Sequence, residues 1–327
     1  MASESLKVSI IIPMRNEEDF IGKCLEGFIN QTYPKEKFEI IVIDGMSSDS
    51  SREIVKSYQK LENNILLIEN EKKITPISFN LGIKSSKNDV VSIFSAHSEP
   101  NPDYIEVAIN TLIKTNADCV GGPMIAKSST ILGNAIAKST STPFGVGNSV
   151  FHYSKTPGYV NTVYQGFFYR MLFKKIGFFD EELVRNQDDE MSYRIQKFGG
   201  KIFFNPNIKS VYYSRTNLIR LFKQYFQYGL FKPLVFYKTK YGMQIHHFIP
   251  TLFVIYLLSV FLFYEHSLLM LPLVSYTILS IYFSMFTKNV FASKIISIII
   301  YPIIHISYGL GFIFGIFKIF KRRFNTI

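Results

Sequence analysis

Polar side chains that could bind a ligand follow three apolar runs near the start of the chain. Residues 8–12, 38–43 and 90–94 are short and rich in branched apolar residues, which is typical of buried strands. The loops after these runs contain Arg15, Asn16, Glu17, Asp44, Asp49 and His97. Parallel strands end at one edge of their sheet, and wound α/β sheets bind their ligands there. We therefore expect these side chains to share one ligand-binding edge.

Helical patterns alternate with these strands. Apolar residues recur at helical spacing in residues 20–29 and 54–61, and residues 65–68 form a further apolar run. The alternation predicts an α/β fold with a Rossmann-like, doubly wound and mostly parallel sheet. Residues 123–161 are rich in Ser, Thr, Gly and Asn, and we expect irregular structure flanking a site there.

Capping residues predict where the first helices begin. Asn16 precedes the first helical pattern, and Ser50 and Glu53 have the spacing of a capping box. Thr75 is expected to cap the third helix ahead of a first-turn proline, Pro76.

The last third of the chain is hydrophobic. Residues 247–264, 268–286 and 295–317 each approach the roughly 20 residues that cross about 30 Å of hydrocarbon. Three successive helices that are hydrophobic all round would find too little protein to cover them in a soluble molecule. We expect an α/β domain at residues 1–232, ending in an interfacial helix region near 215–232. A membrane region with two or three hydrophobic helices is expected at residues 233–327.

The charges between the hydrophobic stretches limit their topology. Residues 265–267 contain no Lys or Arg, whereas Lys288 and Lys294 follow the second stretch, so the first two stretches resemble a hairpin. A third full crossing would place the basic tail at residues 318–323 outside, against the positive-inside rule. Either the third stretch, which contains Pro302, is re-entrant or interfacial, or the rule fails here.

The net charge indicates what kind of partner the chain binds, and the two cysteines indicate its redox compartment. The formal net charge of +11 calls for an anionic partner, and the membrane segments favour lipid headgroups and phosphate. Residues 218–232 mix aromatic and basic residues, which fits an interfacial helix, and we expect no nucleic-acid partner. Cys24 and Cys119 are expected to be buried and reduced. Residues 1–7 do not resemble a signal peptide, so the α/β domain should stay in the cytosol.

Six short motifs occur in order along the chain. They read VSIIIPMRNEE, EIIVIDGMSSD, FSAHSE, GFFDE, DDEMSYR and QYFQYG. Together they resemble the family-2 glycosyltransferases of GT-A fold, in particular membrane-attached members that build bacterial or archaeal surface polysaccharides of the cell envelope. The resemblance covers residues 8 to about 230.

The resemblance implies a nucleotide-sugar donor at the strand-end loops. Asp44 is similar to the aspartate that contacts the base, although it could instead bond only loop amides. The loop that cradles base and ribose would contribute Pro13, Arg15, Asn16 and Glu17. Asp49 is at least as well placed to be part of a helix cap.

The resemblance also implies a general base for the acceptor hydroxyl. Asp188 lies at the family's interval before Arg194, with Asp189 as the fallback, and Gln187 stands where the family has an acid. Alternatively, or in addition, these carboxylates and that of Glu190 stabilise a helix N-terminus.

The family binds a divalent cation, Mg²⁺ or Mn²⁺, through an Asp-x-Asp or Asp-x-His element. Here the element reads Ser95-Ala-His97, so the first carboxylate is absent and metal dependence stays open. His97 is then a metal ligand or a phosphate contact, and Glu99 could substitute only if the loop bends back.

In the element that meets the diphosphate, the chain has Gln224, Gln227 and Tyr228, with Gln227 replacing the family's cation. Arg215, Arg220 or Lys223 could supply that positive charge, or they could face lipid headgroups.

The expected activity is transfer of a sugar from a nucleotide-sugar donor to a lipid-linked acceptor or growing glycan. It would occur at the cytoplasmic face of the cell's inner (plasma) membrane, with inversion. One alternative is a polyprenyl-phosphate acceptor, which would not need deprotonation. Another is a catalytically silent nucleotide-sugar-binding membrane subunit, suggested by Ser95, Gln187 and Gln227.

Overall fold

The structure is a computed structural model that describes residues 6–214, 216–263, 265–285 and 290–324. Arg215, Lys288 and the side chains of Arg322 and Arg323, which entered the predictions above, lie outside the described residues. The chain divides into two compact units. The first unit is Met1–Ile125 with Ser154–Tyr212, and the second unit is Ala126–Tyr153 with Tyr213–Ile327.

The strands of the described residues form two sheets. In chain order they are β1 Val8–Met14, β2 Phe38–Asp44, β3 Ile65–Glu69, β4 Val90–Ile93, β5 Ser98–Pro100, β6 Cys119–Gly122, β7 Met124–Lys127, β8 Gly158–Tyr159, β9 Tyr164–Tyr169, β10 Ile202–Phe204 and β11 Ser210–Tyr213. The large sheet has the order β3-β2-β1-β4-β9-β6-β10-β8, and the small sheet has the order β5-β11-β7.

The helices of the first unit are α1 Ile21–Ile29, α2 Ser51–Gln59, α3 Thr75–Ser85, α4 Tyr104–Thr115, α7 Arg170–Ile176 and α8 Gln187–Lys197. The second unit contains α5 Ile131–Ser139, α6 Pro143–Val146, α9 Leu218–Thr239, α10 Ile249–Leu262, α11 Met270–Met285 and α12 Phe291–Phe324.

The large sheet is mostly parallel, as predicted. Strands β1, β2, β3 and β4 run parallel, as do β6 and β10, whereas β9 is antiparallel to both β4 and β6. Residues of β1 and β2 are almost all buried, which explains their continuous apolar runs. The core that supports them includes Phe28, Phe94 and Tyr104, whose rings meet edge to face.

The predicted helix caps are mostly wrong. Helix α1 is preceded by Phe20 as its N-cap, and Asn16 has a left-handed backbone with φ of 54° and bonds elsewhere. Ser50 is the N-cap residue of α2, but within the described chain its side chain makes no capping bond. Thr75 is the first helical residue of α3 after the N-cap Ile74, although the first-turn proline is confirmed.

The second unit is built around α12. Helices α9 and α12 approach closely because glycines face backbone: a Cβ added to Gly229 would lie 2.0 Å from Tyr308 O, and one added to Gly311 would lie 2.0 Å from Phe226 O. Ser297 Oγ donates to Ala135 O, which joins α12 to α5. Residues 123–161 therefore include two ordered helices, and the expectation of irregular structure there is wrong.

Among the described residues, three helical segments are long and apolar enough to cross a membrane. They are Ile245–Leu262, Ser267–Met285 and Phe291–Lys321. Helix α9 runs through residue 232 without a break, and the compact units divide at other positions. The functional boundary at residue 232 stays a prediction, because compactness reports packing and not activity.

Candidate functional site

Two strand-end loops are joined by hydrogen bonds at one edge of the large sheet. Strand β1 lies between β2 and β4, and Met14 pairs with Asp44 at the ends of β1 and β2. Beyond them the Asn16 N–H donates to Ser47 Oγ (3.0 Å), and Asn16 Oδ1 accepts from the Ser48 N–H (2.9 Å). Asn16 therefore lies at this edge, and its amide fixes one loop against the other.

A second set of bonds extends this joint toward α2. The Glu17 N–H donates to Ser51 Oγ (2.7 Å), the Glu18 N–H donates to Asp49 Oδ2 (3.2 Å), and the Ser50 N–H donates to Glu18 Oε2 (3.0 Å). Burial disfavours the charged form of Asp49, but hydrogen bonds from Ser51 and from backbone N–H groups outweigh it and hold its pKa below the usual value. Asp49 therefore acts in loop and helix-start structure.

Asp44 is fully buried and bonded on both carboxylate oxygens. Its Oδ1 accepts from the Ser47 N–H (3.0 Å) and hydroxyl (2.6 Å), and its Oδ2 accepts from Arg52 Nε (3.0 Å). Arg52 also pairs with Glu69. The Ser47 contacts are of the kind that the alternative predicted, and Arg52 is a partner that the sequence did not indicate. A contact with the base of a nucleotide stays a prediction.

His97 joins the loop after β4 to the loop after β1. Its Nδ1 lies 3.0 Å from Glu17 Oε1, and the two side chains are 27% and 22% exposed. A carboxylate only accepts hydrogen bonds, so His97 Nδ1 carries the hydrogen in this contact. The other ring nitrogen, Nε2, does not take part in it. Burial, reinforced by the carboxylates of Glu17 and Glu99, raises the pKa of the nearby Cys24 thiol far above its usual value. Both carboxylates thus lie near this loop.

An aromatic network that the sequence analysis missed supports His97. The Tyr212 ring meets the His97 ring edge to face at 5.0 Å, and Tyr164 meets Tyr212 at 6.3 Å. Tyr164 Oη lies 3.0 Å from Ser98 Oγ and accepts from Gln165 Nε2 (3.2 Å). Gln165 has φ of 50° inside a strand, a conformation that L residues rarely adopt. Strands β9 and β11 gave no chemical signal in the sequence.

Asp188 and Asp189 lie in the first turn of α8, also in the first unit. The N-cap Asn186 has a left-handed backbone, and the Asp189 N–H donates to Asp188 Oδ1 (3.0 Å). Both carboxylates are at the positive end of the helix, as the structural alternative predicted. Their role as base stays a prediction.

Arg194 fixes this helix to the preceding loop. It forms a two-point ion pair with the buried Glu190 (2.7 Å for both bonds) and donates to Ile176 O and Phe178 O (2.8 Å each). Arg194 therefore joins the motif at residues 188–194 to the motif at residues 177–181.

The residues predicted to hold a metal fit that role in part. Within the described residues, no three His, Cys, Asp or Glu side chains come together as a ligand group. His97 and Glu17 nevertheless place an imidazole and a carboxylate side by side, and Mg²⁺ sites often combine one or two protein ligands with substrate phosphates.

Gln224, Gln227 and Tyr228 belong to α9 of the second unit. Gln224 Nε2 donates to Tyr228 Oη (2.8 Å), and the Tyr225 and Tyr228 rings meet edge to face at 5.5 Å. Their predicted contact with a donor diphosphate stays a prediction. Pro13 lies within β1, Arg15 is exposed just after it, and Ser95 follows β4.

The mostly parallel sheet with joined loops at its carboxyl edge has the GT-A fold. The solved structure of a mannosyltransferase from Pyrobaculum calidifontis, determined with GDP-Man and Mn²⁺, has this fold. It matches 97% of this chain and 88% of its own, with a TM-score of 0.61 and 15% identity.

Sequence comparison specifies the family. Residues 9–177 match the model of glycosyl transferase family 2. A dolichyl N-acetyl-α-D-glucosaminyl phosphate 3-β-D-2,3-diacetamido-2,3-dideoxy-β-D-glucuronosyltransferase of Methanococcus voltae is 38% identical over 244 residues, covering 72% of this chain and 76% of that protein. Succinoglycan biosynthesis protein ExoA of Rhizobium meliloti is 28% identical over 222 residues, or 67% of each chain. The chain belongs to glycosyl transferase family 2, which confirms the predicted family, fold class and enzyme class.

Proposed function

We propose that this glycosyltransferase moves a sugar from a nucleotide-sugar donor to a lipid-linked or growing glycan acceptor in surface-polysaccharide biosynthesis. The observation that carries the proposal is the joined edge formed by the loops after β1, β2 and β4, where Asn16, Glu17 and His97 meet. The names of the relatives support it, since one acts on a dolichyl-linked sugar phosphate and another makes succinoglycan. These names do not favour a catalytically silent subunit.

The donor would bind across this edge, with its base and ribose against Pro13, Arg15 and Asn16. Asp44 would act by holding the loop through Ser47, and also by direct contact if the base displaces that serine. Because hydrogen bonds within the protein join these loops, little further ordering would be needed on donor binding.

Asp188 is proposed as the general base for an acceptor hydroxyl in an inverting displacement. Asp188→Asn should lower turnover by about 10²–10⁴-fold with donor affinity unchanged, because only the proton transfer is lost. Asp189→Asn tests the fallback, and Glu182→Gln serves as an exposed carboxylate control in the same loop region. Unchanged turnover for Asp188→Asn would remove it from the base role and favour a phosphate acceptor.

A divalent cation, Mg²⁺ or Mn²⁺, is proposed to act with His97, Glu17 and the donor diphosphate. Bound cation would offset the charge of the leaving nucleoside diphosphate. If so, chelation should abolish transfer, Mg²⁺ or Mn²⁺ should restore it, and Glu17→Gln should raise the cation concentration needed far more than Glu18→Gln. Full activity after chelation would show that protein groups alone suffice.

The membrane arrangement is proposed to be a two-helix hairpin formed by α10 and α11, with the continuous helix α12 lying along the interface so that both of its ends stay on one side. His305 Nδ1 lies 2.8 Å from the Tyr276 hydroxyl in the middle of α11, yet Phe312 meets Phe248 just before α10. A helix that crossed fully antiparallel to α11 would instead pass the end of α10. The amine of Lys318, at the start of the basic tail, lies 5.9 Å from the Phe231 ring in α9.

This proposed arrangement would satisfy the positive-inside rule and would put the glycosyltransferase domain on the cytoplasmic side of the plasma membrane. Single cysteines replacing Lys240, Glu265 or Lys321, in a chain with Cys24 and Cys119 replaced by alanine, test it. An impermeant maleimide should label positions 240 and 321 from the same side and position 265 from the other. Labelling of 321 together with 265 would mean that α12 spans the membrane.

A further inference from the structure

The second unit carries a strongly one-sided charge. Its sequence contains fourteen Lys and Arg residues and a single acidic residue, Glu265, whereas the first unit has slightly more acidic than basic residues. The basic character of the whole chain therefore lies in the unit that holds the hydrophobic helices. Carboxylates of this unit cannot offset it, so anions from outside the unit are its natural complement.

Two side chains of this unit that carry nitrogen donors are buried. Lys232 in α9 is 7% exposed, and His247 in the turn Ile245–His247 is 9% exposed. Their side chains are close enough for the charge of Lys232 to act on His247, and the His246 ring lies 4.1 Å from the His247 ring.

The hydrogen bonding of His247 shows which ring nitrogen can donate. The Gln244 backbone N–H donates to His247 Nδ1 (3.0 Å), so the neutral ring carries its hydrogen on Nε2. Residues 147–153 flank this cluster: a Cβ added to Gly147 would lie 3.0 Å from His246 Cδ2, and the Tyr153 hydroxyl donates to Gly147 O (3.1 Å). In this cluster His247 Nε2 is therefore the ring nitrogen that can donate, and residues 147–153 form one wall.

The position of the cluster matches the depth of lipid phosphate. His247 lies in the first turn of the candidate span Ile245–Leu262, where the chain would enter the hydrocarbon. Headgroup phosphates lie at this boundary, and buried Lys and His donors there bind them more strongly than donors in water would.

We propose that Lys232 and His247, with His246 beside them, bind the phosphate of a lipid-linked acceptor. The inference rests on the proposed function and adds the site that holds the acceptor's phosphate. Lys232 is already engaged by neighbouring groups, so the proposal depends on net charge and position and not on a missing contact.

The test uses the full chain in phosphatidylcholine nanodiscs with increasing mole fractions of a long-chain polyprenyl monophosphate. Bound lipid should raise the melting temperature by mass action. Lys232→Met and His247→Asn should each weaken the apparent affinity about 10- to 100-fold, since each removes a charged or buried hydrogen bond. In His247→Asn the Asn oxygen can still accept from the Gln244 N–H, so that variant keeps the turn and removes only the distal donor.

Two controls separate charge from folding. Lys232→Arg should retain binding, and Lys240→Gln, an exposed lysine at the end of the same helix, should leave it unchanged. Equal affinity in wild type, Lys232→Met and His247→Asn would overturn the proposal. An equal shift with phosphatidylglycerol would reduce it to general headgroup attraction, and a shift with inorganic phosphate alone would assign the site to free phosphate; either result overturns the lipid-acceptor assignment.

The melting-temperature measurement does not require turnover, so failure of the proposed site can be distinguished from failure of the proposed function. Wild type that binds polyprenyl phosphate through these residues but transfers no sugar would refute the function and keep the site. Transfer to a lipid-linked acceptor with an unchanged KM in Lys232→Met would refute the site and keep the function.

Discussion

Asp44→Asn gives the sharpest test of how the candidate site is built. The carboxylate of Asp44 is 0% exposed and bonds Ser47 on one oxygen and Arg52 on the other. An asparagine can keep the Ser47 bonds through its oxygen, but its amide N–H groups then face the Arg52 N–H. The substitution therefore removes one charged contact while leaving the size of the side chain unchanged.

The size of the effect follows from the burial of the pair. A hydrogen bond to a charged group contributes about 1.5–3 kcal/mol, and removing one partner of a fully buried ion pair costs about 3–5 kcal/mol. The Arg52 side chain is 23% exposed and retains Glu69, so we take the lower range and expect a loss of about 2–3 kcal/mol. For a unit of this size, about 2–4 °C per kcal/mol corresponds to a fall of about 4–12 °C in melting temperature.

Thermal unfolding of purified protein, with and without uridine or guanosine diphosphate, measures this effect. Glu69→Gln is the matched control, because it removes the exposed partner of Arg52 and should change the free energy of unfolding by less than about 1 kcal/mol. A ligand-free melting temperature for Asp44→Asn within about 1 °C of wild type would refute the structural role. A large fall with unchanged stabilisation by nucleotide would show that Asp44 holds the loop without contacting the base.

Three further outcomes are expected. Burial raises the pKa of both Cys24 and Cys119, so iodoacetamide at pH 8 should modify neither thiol in folded protein and both after denaturation, as read by mass spectrometry. Burial lowers the pKa of His152 to about 4, so the folded state holds it neutral while the unfolded ring protonates near pH 6.5. Stability should therefore fall by up to about 2 kcal/mol from pH 7.5 to 5, and this contribution should vanish in His152→Phe. Gly311→Val should prevent α9 from packing on α12 and lower the yield of folded protein, whereas Gly158→Val, in open space, should not.

Much of the fold was accessible from the sequence because the buried parallel strands are continuous apolar runs. Strands β1, β2 and β4 lie at the apolar runs that predicted them. Because parallel strand ends share one edge of a sheet, the sequence predicted that Asn16, Glu17 and His97 lie at the same edge, and Glu17 does contact His97 there. Six ordered motifs added the family, which the comparison with the family model confirmed.

The parts that could not be predicted depend on partners distant in sequence. Helix α5 is stabilised by α12, whose contact residues lie about 160 positions further along the chain, and the Ser-, Thr-, Gly- and Asn-rich stretch around α5 gave no sign of a packed helix. The caps failed for a related reason. Asparagine is a favoured N-cap residue, but the Asn16 backbone N–H donates to Ser47 and its side-chain oxygen accepts from Ser48, both in the next loop.

A departure from a motif has to be judged from the whole edge of the sheet. Ser95 stands where the family has a carboxylate in the element after β4, and the element Ser95-Ala-His97 contains no acidic residue. Glu17, from a loop about 80 positions earlier, lies 3.0 Å from His97 of the same element. A carboxylate therefore remains beside the imidazole, although it arrives from another strand. Because neighbouring strand ends share one edge of the sheet, Ser95 alone does not show that this edge lacks a carboxylate beside the imidazole.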